Sequence, residues 1–415
     1  MSSSNSTASS TPVGGVRGLV LGGLRELYAR PAGQLAGLDA LRSAAILLVI
    51  GTHWALPEYQ AAGGVPTALQ QFPLFYYGWT GVDLFFVLSG YLIGRQLWRE
   101  LQRTGTVQLG VFLLRRGLRI WPLYFFMLLY FAAGSRFVHP RLADWVFLSN
   151  YFPGGMVRGW SLSTEEQFYI AVPLLILLLK RRIPLQAYAW ILLAIEGVLL
   201  VVRRAKLTTF FAAGGVYERA DYVLIYPFHT HLEGLLIGLI IALLSVTHAQ
   251  WFEKRSVSGI SWIGLGVVLS SMIAAFALRS ADRRLFAFVS LGLLYGGFVF
   301  FVLADRSWIT RPLGAWIFYP ISRLSYGMYL NHWWFSNTAN SWMVDTARRI
   351  TADPTAVFLI TLVMGTIASI GFAVCTFVII EHPFLVMRDR WMAQRKERAS
   401  GELSSSLLPK RKGVA

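Results

Sequence analysis

An arginine and a histidine eleven residues apart, Arg42 and His53, are the first pair in this chain that could do chemistry. They lie in the mostly apolar stretch GLDALRSAAILLVIGTH, from Gly37 to His53. Eleven residues make three helical turns to within about 20°, so both side chains leave the same side of a helix, roughly 16 Å apart along its axis. That is about half the apolar thickness of a bilayer. Ionisable groups inside a membrane helix are costly, and as a rule they face an interior cavity and serve function. A guanidinium suits an anion such as a phosphate. A histidine, with an ordinary pKa of about 6.5, suits proton transfer at neutral pH. The plain alternative is that Arg42 snorkels to the interface and His53 is a satisfied interior histidine. Asp39 forms a charge pair with Arg42 at the start of the stretch.

Other stretches offer partners. At 160–169 the chain reads WSLSTEEQFY. Ser163 and Glu166 have the spacing of a capping box, which leaves Glu165 as a first-turn carboxylate favoured by the helix dipole. Its functional reading is as the partner of His53, fixing the tautomer and raising the basicity. At 115–124, RRGLRIWPLY sets Arg116 and Arg119 one turn apart at an expected helix start. They either set topology or grip phosphate bidentately, helped by the helix N-terminus. At 78–94, GWTGVDLFFVLSGYLIG buries Asp83 about two turns into a span, where it needs a partner such as Arg42 or another interior basic residue. Ser89 and Gly90 suit close helix packing, and Ser89 lacks the strand-turn-helix setting of a nucleophile elbow.

At 228–238 the chain reads FHTHLEGLLIG. On a helix His229 and His231 point about 200° apart, so they do not chelate one ion, and no metal is expected. His229 and Glu233 share a face and could pair. His332, in SYGMYLNHWWF, is a candidate acceptor-site group or a structural histidine. Glu381-His382-Pro383 closes the last span, where Glu381 suits interior arginines.

These residues need a frame. The chain has 415 residues, of which 55% are hydrophobic and 14% charged, and its mean hydropathy is +0.53. Such a composition excludes an ordinary soluble domain. Long apolar runs predict an all-α, polytopic membrane bundle of about ten spans, at 38–57, 77–97, 118–135, 165–180, 186–202, 222–244, 259–278, 285–304, 315–338 and 356–380. The net charge of +17 sits mostly in loops, where it sets topology, and so argues against a nucleic-acid partner. The single cysteine, Cys375, allows no intrachain disulfide. Residues 1–36 read as a flexible basic cytoplasmic tail, 37–386 as the membrane domain, and 387–415 as a basic, disordered cytoplasmic tail with no sizeable soluble domain. The loop after the second span carries Arg95, Arg99, Arg103, Arg115, Arg116 and Arg119, while that after the first carries no basic residue. Both termini are therefore expected inside. Arg203, Arg204 and Lys206 then fall in an outer loop. This orientation sends His53, Glu165 and His332 to the outer ends of their spans and the Arg116–Arg119 pair to the cytoplasmic mouth.

In order and spacing these motifs resemble the membrane acyltransferase-3 family, the O-acetylases of bacterial surface polysaccharides and of some antibiotics and lipids. The resemblance runs from about Leu38 to Phe384. It rests on the Arg-x10-His stretch, GVDLFFVLSGYLIG, the Arg-x2-Arg pair, WSLSTEEQFY, HLEGLLIG, SYGMYLNH and EHPF. Glu233 stands where the family more often has Asp, and Trp333 and Trp334 follow His332 where a proline is frequent. The resemblance implies a bacterial inner-membrane O-acyltransferase. Acetyl-CoA, or another acyl-CoA, would be held by Arg116, Arg119 and Arg42, with its pantetheine arm threading the bundle. His53, oriented by Glu165, would act as general base on a hydroxyl of a glycan or glycosylated acceptor. Asp39, Asp83, Glu233 and His332 would be structural or acceptor-site residues. Membrane lipids are the other expected contact, and the oligomeric state is not encoded legibly. Alternatives are an acyltransferase for a macrolide or a lipid, and a transporter or flippase that forms no bond and releases no free CoA.

Overall fold

The computed structural model describes residues 15–31, 35–54, 69, 72–134, 139–152, 159–215, 221–253, 266–267, 269–270, 283–304, 312–338 and 340–407. Among these residues there is no strand. The longer elements are α1 (Gly15–Tyr28), α2 (Ala36–Trp54), α3 (Gly81–Thr104), α4 (Leu109–Gly134), α5 (Trp160–Leu179), α6 (Tyr188–Ala212), α7 (Glu233–Thr247), α8 (Arg283–Ala304), α9 (Phe318–Thr338), α10 (Asn340–Ile350), α11 (Pro354–Thr376) and α12 (His382–Leu407). Local signals explain several ends. Gly105, at φ 67°, takes the left-handed position that closes α3. Asp353 caps α11, its carboxylate accepting from the Ala356 N–H at 2.7 Å, with Pro354 just inside. Pro383 lacks an N–H and would clash with a carbonyl four residues back. The helix widens into a π-turn over Phe377–Glu381 immediately before it.

Six helical stretches are long and apolar enough to cross a bilayer: Ala36–Trp54, Leu109–Gly134, Trp160–Leu179, Leu185–Ala212, Leu285–Ala304 and Pro354–Arg395. The chain is a multi-pass, all-α membrane protein. Three further expected spans are present as helices but fail that test, and the residues say why. The second half of α3 carries Arg95, Arg99, Glu100 and Arg103. α7 has 15 residues, about 22 Å at 1.5 Å per residue, against roughly 30 Å of hydrocarbon. α9 carries Arg323, Asn331 and His332. Most of the expected span at 259–278 lies outside the described residues.

The bundle is organised around α3, which packs most extensively on α7, and around α9, which lies between α2 and α11. The α3–α7 crossing is close because small residues face each other. A Cβ on Gly90 would collide with the Leu235 carbonyl, and one on Gly238 with the Val87 carbonyl. Two small-xxx-small stripes, Gly90/Gly94 and Gly234/Gly238, let the backbones approach. The Trp98 indole then donates to the Leu239 carbonyl at 3.1 Å.

Gly15–Tyr28 is a helix with Leu27 buried and with Gly22 and Gly23 against His382 and Val378. Its Glu26 pairs with Arg323 and lies 3.4 Å from the His382 Nε2. After the last span the chain continues as a helix to Leu407. Apolar and ionic contacts hold α1, and α12 runs straight on from the π-turn.

Candidate functional site

Five helices contribute side chains to one interior cavity of about 310 Å³. Along α3 the stripe is Val82, Phe85, Phe86, Ser89, Leu92 and Ile93, at helical three- and four-residue spacing. α5 supplies Ser161, Leu162, Glu165 and Tyr169; α4 supplies Arg116, Arg119 and Ile120; α9 supplies Ser325, Tyr326 and Tyr329; α2 supplies Arg42. Three guanidinium groups and one carboxylate thus share an otherwise largely apolar chamber, which has a surplus of positive charge. Burial strengthens such charges towards an incoming anion and makes an uncompensated surplus costly until one arrives.

The polar groups are held in specific ways. Glu165 accepts from the Ser89 hydroxyl at 2.7 Å and from the Tyr169 hydroxyl at 3.0 Å. Arg42 and Arg116 lie within electrostatic reach of that carboxylate. Arg116 also donates to the Gln96 side chain at 2.9 Å, with its guanidinium over the Tyr169 and Phe112 rings. Arg119 interacts electrostatically with Arg42, Arg116, Arg323 and Glu381, so Glu381 meets the interior arginines as its sequence position suggests. Tyr326 donates to the Ile120 carbonyl at 2.9 Å and ties α9 to α4.

Along α9 the cavity stripe Ser325–Tyr329 continues one turn further to His332. There the ring of His332 meets the ring of His53, edge to face, with centroids 4.7 Å apart. The same eleven-residue spacing that sets His53 about 16 Å from Arg42 along α2 therefore runs parallel to the α9 stripe. The Nδ1 of His53 is 2.6 Å from the Val49 carbonyl, and that of His332 is 2.6 Å from the Tyr329 carbonyl. A carbonyl only accepts, so each Nδ1 carries the hydrogen, and the lone pair of the neutral ring sits on Nε2. Tyr329 and Ser161, joined hydroxyl to hydroxyl, line the cavity, and the Tyr329 ring lies against that of His332.

Several expectations change. The Nδ1 of His53 is oriented by a backbone carbonyl, and the two Glu165 oxygens accept from Ser89 and Tyr169 within the arginine chamber. α5 starts at Trp160, which puts Ser163 and Glu166 inside the helix. Glu166 accepts from the Trp121 indole at 3.0 Å, and there is no capping box. α4 starts at Leu109, so Arg116 and Arg119 stand two turns or more inside it. The terminal dipole, which fades within the first turn, does not assist them. Asp39 pairs with Arg30 at 3.2 Å and accepts from the Ser322 hydroxyl, and it also stays within electrostatic reach of Arg42, which lines the cavity.

The other candidates form a second polar cluster apart from the cavity. The partner of Asp83 is His231, at 2.9 Å, and the His231 Nδ1 is 3.0 Å from the Ile225 carbonyl. Glu233 pairs with Arg203, both 0% exposed, and not with His229, whose Nδ1 lies 3.0 Å from the Tyr151 hydroxyl. Arg203 also donates to the Thr230 and Leu285 carbonyls and lies over the Phe288 ring. Sequence reading set Arg203 in an outer loop because it ended the span at 202; α6 runs on to Ala212, and the apolar residues Phe210 and Phe211 were the available signal. Arg323 went unnoticed, having no charged neighbour in sequence. Among the described residues no three or more His, Cys, Asp or Glu side chains gather as a metal site would need.

Comparison with known proteins adds the family. A family model described as an acyltransferase domain matches residues 35–374. The O-acetyltransferase OatA of Staphylococcus aureus (strain NCTC 8325 / PS 47) is 25% identical over 414 residues, covering 91% of this chain and 60% of the relative. A Staphylococcus aureus (strain COL) protein, provisionally named an O-acetyltransferase, is 25% identical over 386 residues, covering 84% of this chain and 57% of the relative. The chain thus spans under two thirds of the length of these curated relatives. No solved structure matches it.

Proposed function

The chain belongs to the membrane acyltransferase-3 family, and from that premise we propose that it is an O-acyltransferase. In this reading it moves an acyl group, acetyl in the first instance, from cytoplasmic acyl-CoA to a hydroxyl of a cell-surface glycan or glycosylated acceptor at the outer side of a bacterial inner membrane. The observation that carries the reading is the chamber in which Arg42, Arg116, Arg119 and Glu165 converge, with the His53–His332 pair one turn beyond it. The orientation with both termini in the cytoplasm puts the arginine end towards the donor and the histidine end towards the acceptor.

The residues divide the work. Arg116 and Arg119, with Arg42, grip phosphate oxygens, for which guanidinium forks are well shaped. A volume of about 310 Å³ is at the low end of ligand pockets. It suits an elongated acyl-pantetheine arm with the adenosine left outside. Phe85, Phe86 and Leu162 exclude water from the thioester, which protects it from hydrolysis. The Nε2 of His53 takes the proton of the acceptor hydroxyl while its Nδ1–H stays on the Val49 carbonyl. Asp83 and Glu233, held by His231 and Arg203, act as structural groups in this reading.

The test is transfer of labelled acetyl from acetyl-CoA into extracted surface glycan, in membranes holding wild type or His53→Ala at equal levels. A general base contributes about 10²–10⁴-fold, so the variant should fall by that factor. Equal transfer in the two would remove His53 from the mechanism. Wild-type membranes that release no CoA thiol from any acyl-CoA would remove the enzyme reading in favour of transport.

A further inference from the structure

We propose that Ser89 is a nucleophile and that the acyl group passes through an oxyester on its side chain before it reaches the acceptor. This rests on the O-acyltransferase reading and goes beyond it. Three observations carry the inference. The Ser89 hydroxyl donates to Glu165 at 2.7 Å, the nucleophile-to-base contact that covalent catalysis needs. Both side chains open into the cavity, with Arg42 and Arg116 within electrostatic reach of the carboxylate. Glu165 is itself fixed from the other side by Tyr169, at 3.0 Å. The His53–His332 pair, which meets the ring of Tyr329, does not line the cavity. A thioester lodged in the chamber therefore meets Ser89 first.

Buried in a helix, Ser89 lacks the strained turn of a hydrolase nucleophile. The close α3–α7 crossing, where Gly90 touches the Leu235 backbone, holds it rigidly instead. In the first half-reaction the Ser89 oxygen attacks the thioester carbonyl carbon, and its proton passes to Glu165. The positive potential of the chamber stabilises the developing oxyanion. The C–S bond then breaks, and the departing thiolate takes the proton from Glu165 and leaves as CoA thiol. The product is an ester on Ser89 with Glu165 again a carboxylate. In the second half-reaction the acceptor hydroxyl attacks that ester, and its proton passes along the Ser161 and Tyr329 hydroxyls to His53. The Ser89 oxygen leaves and recovers a proton, which His53 returns by way of the Tyr329 and Ser161 hydroxyls and Glu165. Charge and protons balance over the cycle, and no reactant is needed besides the acyl-CoA and the acceptor.

The experiment incubates purified full-length protein in lipid nanodiscs with labelled acetyl-CoA and no acceptor, quenches with acid, and maps the label by mass spectrometry. The label is expected on the peptide that contains Ser89, at up to one group per chain. It should be absent from Ser89→Ala and discharged when acceptor is added. Ser89→Cys should carry the group as a thioester that neutral hydroxylamine removes, whereas the wild-type oxyester resists. This distinguishes a nucleophile from a hydroxyl that merely steadies Glu165. Transfer to acceptor should fall by about 10²-fold or more in Ser89→Ala. Label on His53 or elsewhere would overturn the proposal. So would undiminished transfer by Ser89→Ala, which would leave the acyltransferase reading intact. A wild type that neither labels nor transfers from any acyl-CoA would overturn that reading and this inference with it.

Discussion

Glu233→Gln should destabilise the protein without touching the chemistry. The substitution keeps the shape of the side chain and removes its charge. Arg203, 0% exposed, then holds a cation with no counter-charge. Breaking one side of a buried pair costs about 3–5 kcal/mol. Arg203 keeps its bonds to the Thr230 and Leu285 carbonyls and the Phe288 face, so the lower half of that range is expected. Against a total stability of roughly 5–15 kcal/mol, that is a large loss. Arg203→Met alone should also cost several kcal/mol, because it strands Glu233 and two carbonyls. The double variant Arg203→Met/Glu233→Gln should lose less than the two singles added together, by a coupling of about 0.5–3 kcal/mol. Unfolding in mixed micelles, followed by tryptophan fluorescence, reads the stability. Acyl transfer normalised to folded protein reads the chemistry and should stay near wild type in all three. A Glu233→Gln protein with an unchanged unfolding midpoint and abolished transfer would refute the reasoning and return Glu233 to the acceptor site.

Arg116→Ala and Arg119→Ala should weaken acyl-CoA binding by about 10- to 150-fold each, because a charge-assisted bond contributes about 1.5–3 kcal/mol; calorimetry on the purified variants, at equal folded fraction, checks this. Gly238→Val should cost at least about 1–3 kcal/mol, since its side chain meets the Val87 carbonyl. Gly110→Ala, with nothing within 4 Å of the new atom, should leave the unfolding midpoint unlowered. Asp353→Ala should destabilise by about 1 kcal/mol through loss of the α11 cap and leave transfer unchanged.

Much of the frame can be read from the residues, because apolar period and length report helices directly. Arg42 and His53 share a side of one helix, and Arg116 and Arg119 face the interior together, as their spacing implies. Pairings between helices could not be read in the same way. Nothing in the sequence around Asp83 names His231, 148 residues away. Nothing around His53 names His332, or shows that Val49 supplies the orienting oxygen. Helix starts were the other weak point. Two starts placed several residues late made Arg116 and Glu165 look like terminal groups, when both are interior. Ser89 was discounted for lacking a turn motif, although what matters is the carboxylate brought to it by another helix.

Each of the two facing histidines takes its orientation from a main-chain oxygen of its own helix. The instruction that fixes the proton pattern is therefore carried by no codon. An alanine scan passes over it, since every substitution at Val49 or Tyr329 leaves the carbonyl in place. The tautomer therefore persists for as long as the two helices do.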